Sequence, residues 1–188
     1  KIVTPMSGEL QKRIAFAHRL ADASGGFIRP YFRKRIDVVD KGPSGFFDPV
    51  TEADKGAELV IREMLGNEFP QDAILGEEFG ESPGTSGYRW VLDPVDGTRA
   101  FIAGQPLWGT LIGLEKDGQL AAGVLDQPFM RERFVGAEGR TELHDAAGVT
   151  LLKTRHCERL ADAVICTTHP MLHFSAPERE LYFKVERA

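Results

Sequence analysis

Two runs of apolar and small residues, 110–115 and 119–126, flank the pair Asp117-Gly118. An Asp-Gly pair between two such runs is a strong signal for a two-residue β-hairpin, because both turn residues must adopt positive φ angles. A third run, 131–136, predicts a further antiparallel strand. This part of the chain therefore favours an antiparallel sheet over alternating parallel βαβ units.

The N-terminal third of the chain has a different pattern, since its apolar residues recur at helical spacing. They predict one helix within residues 1–33 and a second from about 51 to 67. The remaining predictions are short strands at 36–39, 73–76 and 89–92, turn-rich loops at 41–49 and 81–87, a short helical piece at 98–102, a late strand at 163–168 and a late helix at 178–186. Early helices followed by antiparallel strands predict an α+β layered fold.

Composition narrows the class of protein. The chain has 188 residues, of which 42% are apolar and 27% are charged, so it can bury a core without disulfides. Its net charge of −5 argues against electrostatic binding of nucleic acid, and no apolar run approaches the length that spans a bilayer. The spacing of Cys157 and Cys166 predicts free thiols in a reducing compartment, which we take to be the cytoplasm.

Two carboxylates, Asp93 and Asp96, follow the predicted strand 89–92 on either side of Pro94. Pro94 lacks a backbone donor and favours a turn, which we expect to bring both carboxylates to the same side. The free carbonyl of Val95 lies between them. Carboxylate and carbonyl oxygens are hard ligands that suit Mg²⁺ or Mn²⁺.

Gly97 and Thr98 come next, at the start of the predicted helical piece. Glycine permits an unusual backbone angle, and amides at a helix start form an anion site. A cation cluster beside an anion cradle is the arrangement that phosphoryl transfer requires. This segment therefore predicts a phosphate-processing site.

Each signal also has an ordinary structural interpretation. Glu77 and Glu78 could be a solvated strand end. Thr51 and Asp54 have the spacing of a variant capping box, although Asp54 could cap a helix and still direct its second oxygen to the site. Asp-Pro and Asp-Gly are common surface turns. It is the combination of the three segments, in this order, that is specific.

That combination carries a family resemblance. The segments DPVTEAD, GEE and WVLDPVDGT resemble the magnesium-dependent inositol-monophosphatase superfamily. The stretch 96–136 is more similar to the branch containing histidinol-phosphate phosphatases, because inositol-type members carry Thr-Asn in place of Arg99-Ala100. The resemblance implies a layered αβαβα sugar-phosphatase fold. Residues 1–145 would form its N-terminal metal- and phosphate-binding α+β domain, and 146–188 the start of an incomplete C-terminal αβ domain.

The resemblance also implies roles for individual residues. Two or three Mg²⁺ ions, replaceable by Mn²⁺, would be bound by the side chains of Glu77, Asp93 and Asp96 and by the carbonyl of Val95. Phosphate and substrate would contact Asp96, Gly97, Thr98 and Arg99, with a surface salt bridge as the other interpretation of Arg99. Catalysis would use Asp54, Glu77 and Thr98 to orient or deprotonate the attacking water, without a covalent phosphoenzyme. Lys41 could add a positive charge nearby.

The implied function is a phosphomonoesterase that acts on a small phosphorylated alcohol. L-histidinol phosphate, a compound of histidine biosynthesis, is the favoured substrate and inositol 1-phosphate the alternative. Full-length members continue into a second part with a further metal-binding Asp, and no candidate for it follows Asp162. A catalytically incomplete metal- and phosphate-binding module is therefore an alternative of another class. The resemblance further implies a homodimer, without nucleic-acid or membrane partners.

Overall fold

The structure, a computed structural model, describes residues 8–42 and 49–187. Within them the chain divides after Leu152 into two units, and each is described by itself. The predicted domain boundary after residue 145 stays a prediction.

The first unit contains a mixed sheet and the helices that cover it. Its elements are α1 (Gly8–Ile28), a 3₁₀ turn (Arg29–Tyr31), β1 (Val38–Asp40), β2 (Pro49–Thr51), α2 (Glu52–Glu68), β3 (Ala73–Gly76), β4 (Gly80–Ser82), β5 (Tyr88–Asp96), α3 (Thr98–Ile102), β6 (Gly109–Lys116), β7 (Gln119–Gln127), β8 (Glu132–Ala137), β9 (Arg140–Asp145) and β10 (Gly148–Leu152). The predicted α+β class is confirmed.

The sheet has eight strands in the order β10-β9-β8-β7-β6-β5-β3-β4. Its neighbouring strands are antiparallel except for the pair β3 and β5. The predicted β6–β7 hairpin is confirmed, with Asp117 and Gly118 at φ angles of 49° and 76°. The parallel pair directs the C-terminal ends of β3 and β5 to the same edge, where the segments GEE and DPVDGT begin.

Helices α1 and α2 cover one face of the sheet. Alternate residues of the central strands point toward them, because successive side chains of a strand lie on opposite faces. The buried members are Trp90 and Leu92 of β5, Ile112 and Leu114 of β6, and Ala122 and Val124 of β7. Burying a Leu, Ile or Val side chain contributes about 1.5 to 3 kcal/mol, and burying the methyl group of an Ala contributes less. This packing fixes α2 against the strands that carry the predicted site.

A buried ion pair joins α1 to the start of β3. The guanidinium of Arg13 donates to both carboxyl oxygens of Asp72, at 2.8 and 2.9 Å, and lies against the rings of Phe69 and Tyr88. Asp72 also accepts hydrogen bonds from Ser86 Oγ and from the indole nitrogen of the core tryptophan of β5. Burial alone would raise the pKa of Asp72, but these donors outweigh it and leave that pKa below its ordinary value.

Several local predictions needed correction. The predicted loop 81–87 contains part of β4, because residues 80–82 pair with β3. The strand predicted at 89–92 extends from Tyr88 to Asp96. Strands β9 and β10 were not predicted. Of the predicted loop 41–49, residues 43–48 lie outside the described residues.

The second unit, from Lys153 onward, contains a 3₁₀ turn (Leu160–Asp162), α4 (Pro170–His173) and α5 (Ala176–Glu186). The predicted late helix is confirmed as α5. The predicted strand 163–168 is wrong, since the described residues provide no partner strand for it and Val164 is 80% exposed. Cys157 and Cys166 are free and exposed. No helix in the described part of the chain is both long and apolar enough to cross a membrane.

The Asp72 ion pair generates a stability prediction. Substitution of Asp72 by Asn leaves the buried charge of Arg13 with only the exposed Glu9 as an ion-pair partner, so the free energy of unfolding should fall by about 3 kcal/mol, the lower end of the range for breaking a buried pair. Because the folded-state pKa of Asp72 is lowered, its contribution is present above pH 4 and is lost as the pH falls through that pKa. Urea unfolding between pH 2 and 7 should therefore show a steeper acid dependence for the wild type than for the variant.

Glu9 provides the matched control for this prediction. It also pairs with Arg13, but from the protein surface. Glu9→Gln should therefore leave the free energy of unfolding nearly unchanged at pH 7. Equal effects of the two substitutions would contradict the assignment of the stabilisation to the buried pair.

Candidate active site

The segment Asp93–Asp96 is a β-bulge within β5, not the tight turn that the sequence predicted. Asp93 pairs with Leu111 and Asp96 pairs with Gly109, so three steps along β5 match two steps along β6. Residues three apart in a regular strand point to opposite faces. The extra residue of the bulge shifts this alternation by one position, so we expect the two carboxylates to lie on the same side of the sheet. The register shift, and not a turn, is therefore the local structure behind the predicted pair of carboxylates.

The bulge is held by a hydroxyl that the sequence analysis did not single out. Thr110 Oγ1 donates a hydrogen bond of 2.8 Å to the carbonyl of Pro94, and it lies 3.2 Å from Ser24 Oγ of α1. Both side chains are fully buried. Because a bulge leaves a strand carbonyl without its ladder partner, Thr110 satisfies a group that would otherwise destabilise the fold. No motif marks this residue in the sequence.

Gly97 makes the transition from β5 to α3. Its φ angle is 85°, and a Cβ atom there would lie 2.5 Å from the carbonyl oxygen of Leu107. No side chain caps the start of α3, where Thr98 is the first residue. Glycine is therefore favoured here for two reasons: it tolerates the positive φ angle, and it has no Cβ atom to collide with the neighbouring chain segment.

Asp54 uses its two oxygens for different partners. Oδ2 accepts hydrogen bonds from the backbone and hydroxyl of Thr51, which completes the predicted capping box of α2. Oδ1 lies 3.3 Å from Thr98 Oγ1, although the two residues are 44 positions apart. Burial raises the pKa of Asp54, and its hydrogen bonds only partly counteract this rise. Asp54 therefore caps α2 and also contacts Thr98, the other residue predicted to act on the attacking water.

Glu77 and Glu78 follow β3 and have different surroundings. Glu78 is almost completely buried and its Oε1 accepts a hydrogen bond of 2.7 Å from Lys41 Nζ. Glu77 is half exposed, lies 3.4 Å from the same ammonium group and contacts Asp93. The positive charge predicted for Lys41 is therefore beside the predicted metal ligands. A carboxylate of α2 that the sequence analysis missed, Glu58, binds the backbone behind this pair.

Asp93 lies in a strongly anionic environment. Burial is the main cause that raises its pKa to about 8, followed by the charge and hydrogen bond of Glu77 and the charges of Asp96 and Asp54. Its Oδ1 is buried and has no hydrogen-bond partner among the described residues. A divalent cation would relieve both the repulsion and the missing partner, and the donor set consists of hard oxygens. The residues present therefore fit such an ion.

The carboxylates are not collected at a single point. Within residues 8–42 and 49–187, no group of three or more His, Cys, Asp or Glu side chains has the spacing of a formed metal site. Glu77 and Asp93 are in contact, whereas Asp96 and Asp54 act on Asp93 through space. The carbonyl of Val95 accepts a hydrogen bond of 3.0 Å from Thr98 Oγ1. A backbone carbonyl oxygen has two lone pairs, so it could accept this bond and still ligate a cation.

Arg99 is exposed in the first turn of α3. It follows directly after the Gly97-Thr98 pair and so lies at the rim of the candidate site.

Comparison with known proteins supplies the wider context. Residues 9–188 match the profile described as the Inositol monophosphatase family. A bifunctional phosphatase of Arabidopsis thaliana chloroplasts, IMPL2, is 41% identical over 179 residues, covering 94% of this chain and 50% of that protein. A histidinol-phosphatase of Chlorobaculum parvum is 41% identical over 127 residues, covering 67% of this chain and 48% of that protein.

A solved structure shows the same fold. An inositol monophosphatase from Zymomonas mobilis is 38% identical with a TM-score of 0.79, over 97% of this chain and 67% of that one. The mixed α+β layered fold therefore matches that of inositol monophosphatase structures. The chain belongs to the inositol monophosphatase family. It spans about half the length of the curated relatives that it matches.

The repulsion at Asp93 generates a prediction about the cation-free protein. The folded-state pKa of about 8 lies above the ordinary value, so the folded state becomes less favourable as the pH rises from about 4 to 8. Asp93→Asn removes this penalty and should raise the unfolding temperature in EDTA, with a difference that increases over that pH range. Mg²⁺ should then stabilise the wild type more than the variant.

Thermal unfolding followed by circular dichroism at pH 5, 7 and 8.5 measures both effects. Asp117→Asn is the control, because Asp117 is an exposed residue of the β6–β7 turn. It should show no comparable dependence on pH or Mg²⁺. The assigned repulsion would be contradicted if the unfolding temperature in EDTA increased from pH 5 to pH 8.5 and increased more for the wild type than for the Asp93→Asn variant.

Proposed function

We propose that this chain forms the metal- and phosphate-binding part of a Mg²⁺-dependent phosphomonoesterase, with L-histidinol phosphate as its substrate. The observation that carries the proposal is the buried, unpartnered oxygen of Asp93 among Glu77, Asp96 and Asp54. Such an arrangement is costly for a structural residue and useful for one that binds a cation. Family membership supports the same assignment.

The proposed ligands are Glu77, Asp93 and Asp96 through their side chains and Val95 through its carbonyl. A bound divalent cation supplies positive charge that polarises a phosphate and lowers the pKa of water. The protein contributes the fixed positions of the carboxylates at the ends of β3 and β5. We propose two or three Mg²⁺ ions per site, for which Mn²⁺ could substitute.

Thr98 and Asp54 are proposed to act on the attacking water. The hydroxyl of Thr98 has two acceptors within reach, Val95 O at 3.0 Å and Asp54 Oδ1 at 3.3 Å. When its proton points to either of them, its oxygen can accept a hydrogen bond from water and orient it. The raised pKa of Asp54 makes this carboxylate a better proton acceptor than an exposed aspartate. Glu77 would assist from the side of Asp93.

The amides of Gly97 and Thr98 are proposed to hold the phosphate. A residue at positive φ followed by helical residues turns successive N–H groups to one side, which creates a concavity for anions. Asp96 and Arg99 border the same turn and are the proposed substrate contacts. Donors fixed in this way cost no reorganisation when charge develops on the phosphoryl oxygens.

The names of several relatives support the proposal of histidinol phosphate as the substrate. Two of them are named histidinol-phosphatase, in Chlorobaculum parvum and Mycobacterium tuberculosis, and a Rhizobium meliloti relative is named inositol-1-monophosphatase. The Arg99-Ala100 pair supports the first group over the second. Inositol 1-phosphate remains the alternative substrate. A cytoplasmic homodimer acting in histidine biosynthesis is part of the same proposal.

The first activity prediction concerns the substrate. Phosphate release from L-histidinol phosphate and from inositol 1-phosphate is measured with Mg²⁺ and with EDTA, on the 188-residue chain and on the full-length gene product. We expect kcat/KM to be higher for histidinol phosphate and activity to be lost in EDTA. Faster turnover of inositol 1-phosphate would reverse the substrate order. No turnover by the full-length product would favour the binding module instead.

The second activity prediction concerns Thr98. Thr98→Val removes the hydroxyl at nearly constant volume, so kcat should fall by about 10² to 10⁴, the range typical of a lost proton-transfer group. Thr98→Ser keeps the hydroxyl and should retain most of the activity. Mg²⁺ affinity, measured by calorimetry, should change little in either variant. Equal kcat values for the Val and Ser variants would remove Thr98 from the proposed mechanism.

A further inference from the structure

Glu58 is a fully buried carboxylate in the middle of α2. Its Oε2 accepts a hydrogen bond of 2.8 Å from the backbone N–H of Glu78, and its Oε1 accepts one of 3.2 Å from the N–H of Phe79. Both amides belong to the connection between β3 and β4, directly after Glu77. A buried charge is costly unless its oxygens are satisfied, and here they are satisfied by the backbone of the candidate site.

Gly76 makes this contact possible. A Cβ atom at position 76 would overlap the carboxyl group of Glu58. The φ angle of Gly76 is not in the left-handed region, so the glycine is explained by space and not by backbone conformation. In the segment GEE, the glycine thus admits the carboxylate from α2, the first glutamate contacts Asp93, and the second binds Lys41.

Arg62, one turn further along α2, completes the arrangement. Its Nε donates to Glu58 Oε1 at 2.7 Å, and its terminal nitrogens donate to Ser82 Oγ and to the carbonyl of Gly80. The pair Glu58–Arg62 therefore binds the β3–β4 connection at Glu78 and Phe79 and strand β4 at Gly80 and Ser82. Without side-chain partners, this short edge hairpin would have only the β3–β4 ladder to fix it.

We propose that Glu58 is a positioning residue that holds the backbone after Glu77, so that the Glu77 carboxylate faces Asp93 and is ready to bind a divalent cation. Glu58 does not itself touch the ion or the substrate. Groups that orient metal ligands by hydrogen bonding commonly change metal affinity by 10- to 100-fold when they are altered. This inference rests on the proposed function, because it assigns Glu77 to a cation site.

Glu58→Gln is the test, since it keeps the volume of the side chain. Its amide must place an NH₂ group against the donors that now face Oε1 or Oε2, so at least one hydrogen bond is lost. We expect the dissociation constant for Mg²⁺, from calorimetry, to rise by about 10- to 100-fold. The Mg²⁺ concentration needed for half-maximal activity should rise in parallel, whereas kcat at saturating Mg²⁺ should stay within a few-fold. Hydrogen exchange at the amides of Glu78 and Phe79 should accelerate.

Asp72→Asn is the matched control. Asp72 is also a buried carboxylate paired with an arginine, but it precedes β3, at the opposite end from Glu77. At a temperature where the variants remain folded, it should lose stability without a change in Mg²⁺ affinity. If Glu58→Gln does not fold, Arg62→Lys serves instead, because it keeps a cation beside Glu58 and loses the contacts to Gly80 and Ser82. Its expected effect is a several-fold weaker Mg²⁺ affinity.

The outcomes separate the two proposals. A folded Glu58→Gln or Arg62→Lys variant with wild-type Mg²⁺ affinity and unchanged exchange at Glu78 would overturn the positioning role alone. Equal weakening by the Asp72 control would also overturn it, since the effect would then be general destabilisation. If the wild type binds no Mg²⁺, or if Asp93→Asn binds it as tightly, the proposed function fails, and the positioning role fails with it.

Discussion

The register shift between Asp93 and Asp96 is the constraint on which the candidate site depends. Without the extra residue, these carboxylates would lie on opposite faces of the sheet. The neighbouring residues fit this one irregularity: Pro94 needs no ladder donor, Thr110 satisfies its carbonyl, and Gly97 turns the chain into α3. A bulge next to a functional site re-aims side chains while the rest of the strand keeps its pairing. Here it does so in a strand whose earlier residues form the core.

The structural and functional interpretations of Asp54 are both compatible with the geometry. One oxygen closes the capping box with Thr51, which fixes the start of α2, and the other faces Thr98. Since the cap holds the carboxylate in place, the orientation toward Thr98 needs no separate support. The GEE segment likewise combines a structural and a functional role. The hydrogen bonds from its backbone to Glu58 stabilise the fold and, in our proposal, also orient the Glu77 carboxylate.

Features that depend on local sequence were predicted well, and features that depend on distant partners were not. The Asp117-Gly118 hairpin and the helices are encoded by turn residues and by periodicity, and they are confirmed. The bulge in β5 was predicted as a turn, because its form is decided by the register with β6. The role of Glu58 was missed because its amide partners lie 20 and 21 positions away. The strand predicted at 163–168 failed for a related reason, since a strand signal cannot reveal whether a partner strand exists.

Two carboxylates at opposite ends of the parallel pair β3 and β5 show how neighbouring groups decide the direction of a pKa shift. Asp72 precedes β3 and is surrounded by donors, which lower its pKa in spite of burial. Asp93 lies beyond the part of β5 that pairs with β3, and neighbouring acids add to the effect of its burial and raise its pKa to about 8. Burial is similar in kind, so the partners decide the direction of the shift. An acid that the fold buries among other acids destabilises the protein until a cation binds. A bound divalent cation would offset this cost, which is why such a position suits a cation ligand better than a purely structural residue.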